Sequence, residues 1–254
     1  MQSDRRVFLA LVGAGLSAQL LDMRQRGSYS SKLKPRAIAF DAFAIFDSTS
    51  IQTLANELFP QKGSELFNLW RLKQFEYQWL HALIGSYANF WRCTEDSLVF
   101  AARALKLDLT VEKRNDLMNS YLQLRTWPEA SETLRYLKSQ GIRLAFLSNA
   151  TLQILQACSK NSGILELFEH VLSTDRLRTF KPSSRAYQLA IDSLALKKDD
   201  VLFVAFAGWD AAGAKAFGYP TFWVNRLNLP EEQLGFTSDG VGKNLNDLVA
   251  YLRL

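Results

Sequence analysis

Cysteine and histidine are scarce, two of each in 254 residues. Cys93 and Cys158 form no CxxC pair, and His81 and His170 lie far apart in sequence. That argues against a structural zinc site. The cysteines read as small buried hydrophobes, and a disulfide between them would require export to an oxidising compartment. Dense runs of Lys or Arg are missing too. The 30 basic residues are scattered among 25 acidic ones, so the net charge of +5 makes no nucleic-acid footprint. Such a field suits a small anionic substrate instead. The apolar stretch near the N-terminus, Val7 to Ala18, is too short to cross a bilayer as a helix, so no stable membrane insertion is expected. There is no internal repeat and no low-complexity segment.

What is present is a composition for a packed core: 48% hydrophobic and 22% charged residues. The length suits one α/β core with an inserted subdomain, or two small domains. Arg5 and Arg6 precede Val7, Phe8 and Leu9, and the order of these features resembles a twin-arginine export signal. Leu16 sits where a small residue is preferred before cleavage. Residues 1–34 are therefore read as signal and linker, with a periplasmic destination; if the arginine pair is fortuitous, the protein stays cytoplasmic.

Arg36 to Phe40 is a short apolar run ending at Asp41, the pattern of a buried parallel strand with a polar tip. From about Ser50 to Trp127 the periodicity turns helical, and Pro128 marks the return. The aromatic stripe from Trp70 to Trp79 reads as one core face. A helix over Ser131–Gln140 and a strand over Ile142–Leu147 come next. They are followed by a helix from Leu152, a strand at His170–Ser173 and a helix over Ser184–Leu194. A strand at Val201–Ala205, a small-residue helix from Ala211 and a last strand at Thr221–Val224 complete the reading. Strands alternating with helices give an α/β, doubly wound parallel sheet with an inserted helical cap subdomain. The core spans 35–50 and 128–254 and the cap 51–127.

Strand tips of such a sheet share one crevice. Asp41, the Ser148–Asn149 pair and Asp210 fall at three tips, and Lys181 joins from a loop. Any one of them could be a cap or turn residue; four in successive βα units are harder to explain that way. By themselves, Arg71 reads as a solvated helix charge, Trp209 as core and Tyr187 as packing.

Asp41-Ala-Phe-Ala-Ile-Phe-Asp47, Leu147-Ser-Asn149, Phe180-Lys-Pro182 and Trp209-Asp210 resemble the four motifs of the haloacid dehalogenase superfamily. The segments Trp70-Arg-Leu-Lys-Gln-Phe-Glu-Tyr-Gln-Trp79 and Phe180-Lys-Pro-Ser-Ser-Arg-Ala-Tyr187 are similar to its L-2-haloacid dehalogenase branch. The resemblance covers about Arg36 to Asn225. It implies that Asp41 attacks the halogen-bearing carbon of a short (S)-2-haloalkanoic acid. The resulting aspartyl ester is then hydrolysed by water, giving the (R)-2-hydroxy acid. Lys181 would pair with the Asp41 carboxylate and orient it, and Asp210 would orient or activate the water. Arg71 would sit near the halide or the substrate carboxylate, Ser148 would bind that carboxylate, and Asn149 would line the halide site. Phe43, Tyr187 and Trp209 would shape the pocket. No cofactor and no metal are implied; a homodimer is compatible.

Phosphatases of the superfamily carry a second aspartate two residues after the nucleophile, where this chain has Phe43, and more fourth-motif carboxylates to hold Mg²⁺. An Mg²⁺-dependent phosphatase is therefore the weaker reading. Three positions depart from the dehalogenase pattern: Ile45 replaces Thr, Ala205 replaces Ser and Ala207 replaces Asn. Alanine donates no hydrogen bond, and one lost preorganised contact can cost roughly 10²–10³ in rate. Displacement should survive better than ester hydrolysis. The alternative reading is a degenerate relative that binds a small carboxylate without turning it over.

Overall fold

The computed structural model describes residues 34–254. The expected export signal lies outside the described residues, apart from Lys34. The first strand, β1 (Ala37–Phe40), is wholly buried and ends at Asp41. A one-turn helix, α1 (Ala42–Ile45), and a two-residue strand, β2 (Phe46–Asp47), follow directly. Four helices come next: α2 (Thr49–Leu58), α3 (Gly63–Leu83), α4 (Phe90–Ala104) and α5 (Val111–Ser120). The chain returns through β3 (Arg125–Thr126), which pairs antiparallel with β2. The helical insertion thus leaves and rejoins the sheet through a short two-stranded ribbon. The Trp127 indole also donates to the Phe43 carbonyl at 3.0 Å, tying the return strand to α1.

The remainder alternates: α6 (Ala130–Ser139), β4 (Arg143–Ser148), α7 (Leu152–Asn161), β5 (His170–Ser173), α8 (Ser184–Leu194), β6 (Val201–Ala205), α9 (Gly208–Phe217) and β7 (Thr221–Val224). Strand β8 (Gly240–Gly242) and helix α10 (Leu245–Leu252) follow. The six long-range strands are parallel, in the order β5-β4-β1-β6-β7-β8. β1 lies at the centre, so Asp41 emerges at mid-sheet. Both faces are covered. Ala37, Ala39, Leu147 and Phe203 pack with Tyr187 and Leu194 on one side. On the other, Phe146 stacks between Phe46 and Phe168.

The chain does not end its sheet at Val224. β8 was missed because Gly-Val-Gly has no apolar alternation. Its glycines are required by close packing: a Cβ at Gly240 would lie 2.7 Å from the Tyr251 ring and 2.8 Å from Phe222. Helix α10 carries a cap signal, since the Asn244 side chain accepts from the amides of Asn246 and Asp247. Cys93 and Cys158 are buried free thiols, in α4 and α7. Among the described residues, no helix is long and apolar enough to cross a membrane.

Candidate active site

The tip of β1 turns straight into α1 because Asp41 caps it: Asp41 Oδ2 accepts from the Phe43 amide at 3.0 Å. The other oxygen, Oδ1, meets Lys181 Nζ at 2.9 Å. Lys181 also donates to Asp210 Oδ2 at 2.5 Å, and its side chain is only 1% exposed. One ammonium therefore bridges two carboxylates inside the protein. Burial alone would lower the Lys181 pKa, but Asp210 and Asp41 outweigh it and raise it, so the lysine stays charged. Burial pushes the Asp210 carboxyl up to about 6, against the lowering pull of Lys181.

Asp210 sits in the first turn of α9, just past the tip of β6. Its Oδ1 accepts from Tyr187 Oη at 2.7 Å. Burial and the neighbouring carboxylates raise the Tyr187 pKa well above 10, so it remains a neutral donor. Tyr187 itself does not face the chamber; it stands behind Asp210 in the core. Its hydroxyl is held by Asp210, and its ring packs against Phe203, Phe217 and Tyr219. Gly213 makes this possible: a Cβ there would lie 2.6 Å from the Tyr187 hydroxyl.

Ser148 ends β4, fully buried, and its Oγ accepts from the Ala150 amide at 3.2 Å. Asn149 Oδ1 accepts from the Lys181 amide at 2.8 Å and from Thr174 Oγ1 at 3.2 Å. From the insertion, Arg71 on α3 lies over the rings of Phe43 and Phe75 at 4.8 and 4.9 Å, a cation between two aromatic faces. Phe43, Phe75, Phe90, Phe206 and Trp209 supply the apolar wall. Together these residues enclose a chamber of about 20 Å³, room for about one water molecule. A larger apolar groove of about 680 Å³ lies on the other side of Trp209, lined by Trp79, Leu83, Phe180 and Phe236. It contains none of the charged groups, so the chemistry belongs to the small chamber.

Of the three divergent positions, Ile45 and Ala205 are fully buried, whereas Ala207 lines the chamber and precedes α9 without a side-chain cap. Among the described residues, no group of three His, Cys, Asp or Glu side chains is placed to hold a metal ion. Asp41 and Asp210 share Lys181, and Arg71 is the other cationic side chain lining the chamber.

The aromatic stripe on α3 divides into two neighbouring rows offset by one residue. Trp70, Gln74 and Gln78 form a buried row at i+4 spacing. Arg71, Phe75 and Trp79 form the next row, with Phe75 and Trp79 packed edge-on to Trp209 at 5.3 and 5.4 Å. Trp79 Nε1 donates to the Lys181 carbonyl at 3.2 Å. Sequence reasoning named Phe75, Trp79 and the two glutamines only within the Trp70–Trp79 stripe and gave none of them a role of its own; the available signal was two amides continuing the buried row that starts at Leu66 and Trp70.

A parallel α/β fold whose central strand delivers a lysine-paired aspartate to a closed crevice defines a hydrolase class with an aspartate at its centre. The comparisons are specific. The pattern of the haloacid dehalogenase-like hydrolases matches residues 31–218. An (S)-2-haloacid dehalogenase of Pseudomonas sp. (strain YL) is 42% identical over 205 residues, 80% of this chain and 88% of that one. A solved L-2-haloacid dehalogenase superposes with a TM-score of 0.85 at 38% identity, covering 87% of this chain and 100% of that one. The L-2-haloacid dehalogenase of Xanthobacter autotrophicus, solved with chloropropionic acid covalently bound, gives a TM-score of 0.80 at 31% identity over 87% of this chain and 99% of that one. The chain belongs to the haloacid dehalogenase-like hydrolase family.

Proposed function

We propose that this enzyme hydrolyses short (S)-2-haloalkanoic acids to (R)-2-hydroxy acids through an ester on Asp41. The observation that carries the reading is the buried bridge Asp41–Lys181–Asp210 beneath Arg71. An Asp41 carboxylate oxygen attacks C2 from the side opposite the halogen. The carbon–halogen bond breaks with its electron pair leaving on the halide, and C2 inverts. Water then attacks the carbonyl carbon of the Asp41 ester and passes a proton to Asp210. The tetrahedral adduct collapses by breaking the bond between the Asp41 carbonyl carbon and the ester oxygen, with no change at C2. The departing alkoxide takes the proton from Asp210, the Asp41 carboxyl releases its proton to solvent, and the hydroxy acid leaves. Arg71 and the Ser148 hydroxyl hold the substrate carboxylate, and Asn149 lines the halide site. The chamber's small size favours short substrates.

In the same reading residues 51–127 are the cap over the site, and residues 1–34 direct export. The enantiomers of 2-chloropropionate, supplied separately with a chelator present, test the function. Halide release from the (S) form, lost in folded Asp41→Asn, is the expected result. Hydrolysis of an aryl phosphate that needs Mg²⁺ and Asp41, with no halide release, would refute it. So would binding of the haloacid without turnover.

A further inference from the structure

Gln74 and Gln78 on α3 are both fully buried. Burying a primary amide costs stability unless its polar atoms are paired. Here they are paired, and the pairing leads to the site. Gln74 Oε1 accepts from Arg71, and its Nε2 donates to Thr94 Oγ1 and, at 3.4 Å, to Tyr121 Oη. Gln78 Nε2 donates to the Gln74 carbonyl at 3.0 Å, which leaves Gln78 Oε1 to accept from Asn149 Nδ2, also at 3.0 Å.

On the sheet side, Asn149 Oδ1 accepts from the Lys181 amide and Thr174 Oγ1. If the Asn149 amide turned over, its oxygen would face Gln78 Oε1 and its NH₂ would face the Lys181 N–H. Both pairs are repulsive, so the orientation is fixed from two sides. Gln78 takes one Nδ2 hydrogen. For the other, the acceptor found is the Lys181 carbonyl at 3.5 Å, a marginal contact.

We infer that Gln78 is a positioning residue for halide departure: from the cap helix it holds the Asn149 amide so that its second N–H serves the leaving halide. The inference rests on the dehalogenase reading above. Chloride is the poorer leaving group and gains more than bromide from a fixed donor. The experiment measures single-turnover halide release from (S)-2-chloropropionate and (S)-2-bromopropionate by the wild-type, Gln78→Leu and Gln78→Glu proteins.

Gln78→Leu should slow chloride release about tenfold, the scale of one hydrogen bond, and bromide release distinctly less, so the bromide-to-chloride ratio rises. A neutral carboxylic acid in Gln78→Glu still offers an O–H to the Gln74 carbonyl and a C=O to Asn149. Its ratio should match the wild type at acidic pH and rise as the acid ionises. If Gln78→Leu does not fold, this pH series decides alone. Equal slowing of both substrates at every pH would mark a purely structural role and overturn the inference. So would unchanged ratios in folded variants of a wild type that releases halide; in both cases the dehalogenase reading stands. A wild type that releases no halide from either substrate overturns that reading and this inference with it.

Discussion

Replacing Lys181 by methionine removes the one cation between two buried carboxylates. The side chains have similar length, so packing changes little. The charge loss dominates. Lys181 Nζ lies 2.9 Å from Asp41 Oδ1 and 2.5 Å from Asp210 Oδ2, with its side chain 1% exposed. Removing one partner of a buried pair costs about 3–5 kcal/mol, a large part of a stability of about 5–15 kcal/mol. The cost depends on pH in a definite direction. The folded Asp210 carboxyl is already raised to about 6, and without Lys181 it rises further. An acid whose pKa is higher folded than unfolded takes up protons on folding, so it destabilises the fold increasingly as pH rises. The variant should therefore show its full deficit at pH 8 and a smaller one at pH 5, read from urea unfolding midpoints. The double variant Lys181→Met with Asp210→Asn should recover part of the loss, since only one carboxylate remains. A single variant as stable as the wild type at pH 8, or a deficit that grows as pH falls, would refute this account of the bridge.

Turnover should fall as pH drops through about 6, because protonated Asp210 no longer accepts a proton from water; a flat kcat profile down to pH 5 would contradict that role. Tyr187→Phe removes a donor that lowers the Asp210 pKa, so the acid limb should move to higher pH while the rate at pH 9 changes little. Arg71→Leu should raise KM for 2-chloropropionate roughly 10–100-fold, the range for a charged hydrogen bond, with a smaller change in kcat. Because Ile45, Ala205 and Ala207 supply no polar group, halide should appear in a burst near one equivalent per site and then more slowly. The combined change Ile45→Thr, Ala205→Ser and Ala207→Asn should speed the slow phase more than the burst.

Asp41, Asn149 and Asp210 were legible because each ends or follows a short apolar run, and a parallel sheet brings such tips to one edge. Lys181 lies in a loop, where no periodicity places it; only its motif did. The Tyr187 contact with Asp210 was not legible, because helical spacing tells which face is buried, not what a polar tip on that face meets. Gln74 and Gln78 went unnoticed for the opposite reason: a polar residue in an apolar row carries no sign of its partner, and Asn149 lies 71 positions from Gln78. β8 was missed because a glycine-rich edge strand has no side-chain alternation to read, whereas α10 carried a readable signal, the Asn244 cap ahead of Leu245, Leu248 and Leu252, that was not used.

The central claim is an ester on Asp41. Acid quench during the first turnover of (S)-2-chloropropionate, followed by proteolysis and mass spectrometry, tests it most directly. The account predicts the peptide containing Asp41 enlarged by the substrate's propanoate group, with no such species in Asp41→Asn. Halide release at full rate, with Asp41 unmodified at every quench time and still released by Asp41→Asn, would contradict it.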